Sequence, residues 1–293
     1  MTEKLSAASN GAPADGHARD LSINNTLFNR LFTRIALKTL AKLHKADGIC
    51  RPLSSKLIVK SGRDVDLTEA ATMKFISENT SIPVPKVHCS FVHKGRTYIL
   101  MERIKGNPIG KVVEKLKNED QDKVFAQLRR MIDEMRSLPP PSTSVQSCTG
   151  GSLWDSRIGR CKSRFGPFGT IQEFHLWLRD GFRFDDHKHK ERMKGEEGLE
   201  MGRMEAMQDG PWPPPVFTHA DLNSGNILVR GNDIVGIIDW EFSGWYPDYW
   251  EYTSAWYGNL IRTGWQDDLP RFLQTYPAEL SMEITRQRWW GEL

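Results

Sequence analysis

Three oxygen-bearing side chains, Asp221, Asn226 and Asp239, fall within one short stretch of this 293-residue chain, the segment 216–241. Residues 227–230 read as a strand, Gly231-Asn232-Asp233 as a turn and 234–238 as a second strand. A hairpin of that form sets the residue before its first strand beside the residue after its second, here Asn226 and Asp239. Asp221 sits five residues before Asn226, in a loop that starts from the same end. Amide and carboxylate oxygens with open positions left for substrate suit Mg²⁺ bound to phosphates. An isolated Asp or Asn in a loop is usually a turn or cap residue, and a lone His219 is usually a hydrogen-bonded framework residue. The joint spacing, +5 and +18 from Asp221 in a loop–strand–turn–strand context, is what carries the chemical reading. His219-x-Asp221 could also open a two-His-one-carboxylate iron triad. Residue 219 is the last of the eight histidines, so that triad cannot be completed downstream.

The elements that must position these residues follow from periodicity. Leu27, Leu31 and Ile35, flanked by Phe28 and Phe32, predict an amphipathic helix from Asn24 to about Lys45, lying on something. Lys56–Lys60 reads as a short strand, 67–79 as a helix stopped before Ile82-Pro83-Val84-Pro85, and 86–93 with 97–102 as a hairpin around Lys94-Gly95-Arg96. After Gly106 the character changes. A helix is expected over roughly 119–137, a surface loop over 142–170, a short helix over 171–180, and a solvated charged stretch over 183–210 that includes His187-Lys188-His189-Lys190. Residues 249–262 and 266–276 read as two closing helices. The first 23 residues, rich in Ala, Ser and Gly, read as a disordered tail.

Composition bounds the function. With 40 Lys+Arg against 37 Asp+Glu there is no basic field, so nucleic-acid binding by bulk charge is excluded as an expectation. No apolar run approaches a membrane span, so no membrane is expected as partner. Cys50, Cys89, Cys148 and Cys161 show neither zinc nor disulfide spacing, which fits reduced thiols in a cytoplasmic protein. Eight of ten Trp lie after residue 211, either as core or as walls of a small-molecule site.

The motifs together resemble the aminoglycoside-phosphotransferase-like enzymes, a family of phosphotransferases with the protein-kinase-like fold. His219-Ala220-Asp221-Leu222 with Asn226-Ile227-Leu228 is similar to the family's catalytic loop, and Ile238-Asp239-Trp240-Glu241 to its metal-binding strand end. Ile82-Pro83-Val84-Pro85-Lys86, Leu100-Met101-Glu102-Arg103 and Tyr246-Pro247-Asp248-Tyr249-Trp250-Glu251-Tyr252 resemble a fungal-type branch. The resemblance implies an α+β, bilobal fold: a small antiparallel-sheet N-lobe over 24–102 and a mainly helical C-lobe over 103–293. It implies an ATP- and Mg²⁺-dependent transfer of a γ-phosphate to a hydroxyl of a small molecule. Asp221 would be the base or orienting group, and Asn226 and Asp239 the metal ligands.

The family also expects a strand lysine paired with a helix glutamate, which the resemblance maps to Lys60 and Glu69. From spacing alone Lys60 could be a strand-end solvent charge, and Glu69 could close a capping box with Asp66. Met101, Glu102 and Arg103 fall where the family's linker holds the adenine through backbone groups. The sequence departs from the family pattern at three places: no Gly-x-Gly-x-x-Gly precedes Lys60, Ala220 replaces the usual glycine, and Trp250-Glu251 stand where many members carry an Asp. Two other readings compete. One is a catalytically silent nucleotide-binding module. The other, a protein kinase, is weakened by the lack of His-Arg-Asp, Asp-Phe-Gly and Ala-Pro-Glu segments. Glu241, Trp245, Asp248, Trp250 and Glu251 could line the acceptor site or pack the core.

Overall fold

The computed structural model describes residues 21–46, 48–158, 164–184, 195–258 and 263–291. Cys161, the His187–Lys190 tract and most of the expected N-terminal tail lie outside the described residues. The described residues form two compact units, one within residues 1–71 and 87–102, the other within residues 72–86 and 103–293.

The first unit opens with helix α1 (Leu27–Lys38), started by Thr26, whose Oγ1 accepts the Asn29 N–H at 3.2 Å. A 3₁₀ turn (Leu40–Leu43) follows, then strands β1 (Cys50–Pro52) and β2 (Leu57–Gly62), helix α2 (Leu67–Asn79, within this unit as far as Ala71), and strands β3 (Val87–His93) and β4 (Arg96–Glu102). The four strands pair antiparallel in the order β1-β2-β4-β3. The β3–β4 turn places Lys94 and Gly95 at φ of 52° and 66°, the left-handed pair that a two-residue hairpin turn requires. The core is Leu53, Val59, Cys89, Phe91 and Leu100, closed on one side by Ala36 and Ala41.

Helix α1 therefore corrects the periodicity reading. It leans on the sheet through Thr33 and Ala36, while Leu27, Phe28, Leu31 and Ile35 point to solvent. Small residues permit close approach of helix to sheet, and that leaves the large apolar stripe on the outer face.

The second unit continues with β5 (Asn107–Pro108), the single turn α3 (Ile109–Val112), α4 (Asn118–Arg136), α5 (Ile171–Leu178), α6 (Glu196–Gln208), and strands β6 (Val216–Thr218), β7 (Ile227–Arg230), β8 (Asp233–Ile237) and β9 (Gly244–Tyr246). It closes with α7 (Trp250–Tyr257), α8 (Thr263–Phe272) and α9 (Pro277–Trp290). Helix α4 buries Val124, Phe125, Leu128, Ile132 and Met135. The sheets are small: β5-β7-β8 and β6-β9.

Three expectations are overturned in this unit. Within the expected loop 142–170, the described residues 142–158 and 164–170 do not loop over the surface: Val145, Leu153, Asp155, Ile158 and Phe165 are buried, and bridges Val145↔Phe168, Leu153↔Phe165 and Gln146↔Trp245 pair parts of the backbone. The charged stretch contains α6, which buries Met201, Met204 and Gln208. A third closing helix, α9, follows the two expected ones; it buries the ion pair Glu283–Arg286 (2.8 Å), so its inner face shows no apolar stripe. Trp240, Trp245 and Trp250 are core residues, not exposed walls. The protein thus has a mixed α+β architecture, as the resemblance to protein-kinase-like enzymes implied.

Candidate functional site: an anchored aspartate loop

The loop begins where β6 ends. Thr218 pairs with Gly244 of β9, which fixes the exit direction of residues 219–226. His219 is fully buried against the Trp240 ring, with centroids 4.4 Å apart. Its Nδ1 accepts the Asp221 N–H at 3.2 Å, so its Nε2 carries the proton and donates to the Ile238 carbonyl at 3.1 Å. Burial holds the imidazole down to about 4, so it stays neutral. Both nitrogens are spent, and His219 is a strut between the loop and the end of β8.

Ala220 follows with φ of 64°, a left-handed conformation that costs a non-glycine residue about 1–2 kcal/mol. Two side chains hold it there. Glu251, near the start of α7, accepts the His219 N–H at 2.7 Å and the Ala220 N–H at 3.0 Å, one with each carboxylate oxygen. Arg157 donates to the Ala220 carbonyl, to the Ser254 carbonyl at 3.0 Å and through Nε to Asp155 at 2.8 Å. Burial raises the Glu251 carboxyl to about 7 against the opposing backbone N–H groups and arginine charges.

Asp221 sits at the tip. Its Oδ2 accepts from Asn226 Nδ2 at 2.8 Å, and its backbone carbonyl accepts from the same nitrogen at 2.9 Å. Burial, with a smaller push from the Asp239 charge, raises its carboxyl to about 6, and Arg157 and the amides of Asn223 and Asn226 oppose the rise. With the Asn226 nitrogen committed to Asp221, its side-chain carbonyl oxygen is the atom left for a cation.

The hairpin brings Asp239 to the same place. Strands β7 and β8 pair from Ile227↔Ile237 to Arg230↔Asp233, turning at Gly231 with φ of 64°. Just outside that ladder the Ile238 N–H donates to the Asn226 carbonyl at 2.9 Å, so Asn226 and Asp239 flank one hydrogen bond. The Ile237 N–H donates to Pro83 at 2.8 Å, which ties the Ile82–Pro85 segment to β8. Asp239 itself is left-handed, φ 67°, and a Glu241 carboxylate oxygen lies within 4.8 Å of one of its own. The donor set, an amide oxygen and carboxylates, is hard and oxygen-only, which fits Mg²⁺.

In the first unit, Lys60 and Glu69 form an ion pair. Lys60 Nζ donates to Glu69 Oε1 at 3.0 Å and lies 2.9 Å from Oε2, with both side chains buried. Lys60 is thus not a solvent-facing strand end, and Asp66 Oδ1 accepts the Thr68 N–H at 2.8 Å at the start of α2. Met101 is buried opposite Ile58, Glu102 ends β4 exposed, and Arg103 follows it, also exposed.

Sequence reasoning missed Arg157, which lies in the stretch read as a surface loop, and the role of Glu251. A charged residue opposite two backbone N–H groups 31 and 32 residues away leaves no spacing signal.

Comparison with known proteins fits this geometry. No curated protein sequence matches the chain. Among solved structures it is similar to a thermostable mutant of the aminoglycoside phosphotransferase APH(4)-Ia, in ternary complex with AMP-PNP and hygromycin B. The TM-score is 0.56 at 13% identity, over 83% of this chain and 81% of that one. It is similar to APH(2")-IIa in a streptomycin–ATP complex, with a TM-score of 0.53 at 13% identity, over 91% and 88% of the two chains. APH(3'')-Id from Streptomyces rimosus ATCC10970, in complex with ADP and streptomycin, gives 0.51 at 15% identity, over 90% and 99%. These likenesses carry the fold. The family model for the phosphotransferase enzyme family matches residues 61–288, most of the chain, and the protein belongs to that family.

Proposed function

We propose that this phosphotransferase uses ATP and Mg²⁺ to move a γ-phosphate onto a hydroxyl of a small molecule. The observation that supports this most is the Asp221–Asn226–Asp239 arrangement: a carboxylate anchored by the Asn226 amide, whose backbone carbonyl is bonded to the residue just before Asp239. The motifs around Pro83, Met101 and Tyr246 favour a fungal-type branch of the family, and the absence of paired cysteines among the described residues suits a cytoplasmic setting.

The roles divide by chemistry. Asp221 orients the acceptor hydroxyl and takes its proton; Arg157, Glu251 and His219 hold the loop so that the carboxylate does not have to be ordered at each turnover. Asn226 and Asp239, with Glu241 alongside, would hold the cation, which when bound neutralises phosphate charge. Lys60, oriented by Glu69, binds nucleotide phosphates, and the backbone from Met101 through Glu102 to Arg103 receives the adenine.

The acceptor is a small hydroxylated compound; neither nucleic acid nor a protein substrate is needed. The test is ATP consumption by the purified protein across a library of hydroxylated metabolites, with Asp221→Asn as control. We expect at least one acceptor for the wild type and a loss of about 10³-fold in the variant at unchanged melting temperature. Equal turnover in the variant would remove Asp221 from the chemistry. Stabilisation by Mg-ATP with no transfer to any acceptor would favour a silent nucleotide-binding module, the reading to which Ala220 and the missing glycine loop lend support.

A further inference from the structure

The largest feature that phosphoryl transfer leaves unused is the outer face of α1. Leu27 is 84% exposed, Phe28 75%, Leu31 57% and Ile35 51%, and Leu43 in the following turn 77%. A contiguous apolar stripe of this kind on a helix marks an interaction surface. We propose that α1 docks this protein on an anionic phospholipid surface.

Charge selects that occupant. Residues 21–46 hold five Lys or Arg (Arg30, Arg34, Lys38, Lys42, Lys45) and no Asp or Glu. Arg30 is engaged with the Val92 carbonyl at 3.0 Å and the Phe91 ring, but Lys38, Lys42 and Lys45 are exposed. Arg34 and Lys38 lie along one edge of the stripe and open on a cleft of about 350 Å³ that Arg63, His93, Lys94 and Arg96 also line, with no acidic residue in its wall. Partial desolvation and then the charges of Arg34, Lys94 and Arg30 hold the His93 imidazole below its ordinary value, as a positive local field would. Apolar Leu and Phe on one face with Lys and Arg beside them is the chemistry of a helix lying in a membrane interface.

Two other occupants fit less well. The chain's own first twenty residues offer only Met1 and Leu5 as large apolar side chains, too few to cover the stripe. A second copy packed antiparallel across a two-fold axis perpendicular to α1 would set the basic edges of the two helices against each other, which is repulsive. This departs from the expectation that no membrane is a partner, which rested on the lack of a span: the contact is on a surface, and no described helix is long and apolar enough to cross a bilayer.

Flotation of the full chain with phosphatidylcholine vesicles, and with equimolar phosphatidylserine–phosphatidylcholine vesicles, tests the proposal. We expect the chain to float with the second and not the first, and to be released by raised salt. Leu31→Ser with Ile35→Ser, and separately Arg34→Gln with Lys38→Gln, should each lower partitioning about tenfold or more; the side chains changed are outside the core. Chain that stays unbound by both vesicle types, or binds both equally, overturns the proposal. So does a lipid-free dimer in sedimentation velocity that the Leu31/Ile35 variant dissolves, because a second copy would then own the face.

Discussion

Two charged groups are held inside this protein in opposite ways. The Lys60–Glu69 pair is local: its members are nine residues apart, on a strand and the next helix of one unit. The Asp221 loop is anchored from afar, by Arg157 63 residues before Ala220 and by Glu251 some thirty residues after it. The first arrangement follows from chain connectivity. The second exists only once the surrounding unit is packed, so the loop's conformation is as secure as the side chains that reach it.

Graded substitutions should separate the two. Arg157→Met removes the cation that faces buried Asp155 together with the donors to Ala220 and Ser254; we expect a loss of about 4 kcal/mol in urea unfolding. Lys60→Met should cost about 3 kcal/mol, and adding Glu69→Leu should recover part of it, because the carboxylate that faced the ammonium is gone. If the double variant is no better than the single one, the local pair is not the self-contained unit described here.

Glu251→Gln turns one acceptor into a donor opposite a buried N–H and should cost about 2 kcal/mol. Its pH signature is the sharper readout. The folded carboxyl is raised to about 7, above its unfolded value, so its stabilisation is complete below the unfolded pKa and is lost as pH rises through 7. The gap between wild type and variant should therefore be widest below about pH 4.5 and narrow as pH rises toward 8. Ala220→Gly is the smallest step: removing the strained methyl should stabilise by about 1 kcal/mol. No gain would mean that Arg157 and Glu251 hold the loop at no conformational cost.

The same contrast explains what could be read from residues alone. The hairpin β7–β8 was legible because its turn chemistry and alternating strands are contiguous, and with it the meeting of Asn226 and Asp239. Helix α4 was legible because its buried face is apolar at helical spacing. Helix α1 has an equally clear stripe, yet it faces outward: periodicity reveals that a helix has two sides but not which side meets the protein. Helix α9 was invisible because it buries Glu283 and Arg286, charges that cancel each other in the interior and read as surface in sequence. Residues 142–158 were misread for a related reason, since isolated bridges bury a chain without imposing any period. Arg157 lay inside that misread stretch.

Asn226 works as an adaptor between two unlike neighbours. Its nitrogen faces Asp221 twice, and its oxygen is left for whatever stands on the other side. A carboxylate in its place would supply the oxygen but would set a second negative charge against Asp221, whose own carboxyl burial already pushes upward. An amide one methylene longer would place both ends elsewhere. The side chain at 226 therefore has to be neutral, two-ended and short. It couples the half of the site proposed to take the proton to the half proposed to face the cation through one rigid plane, so that displacing either half displaces the other.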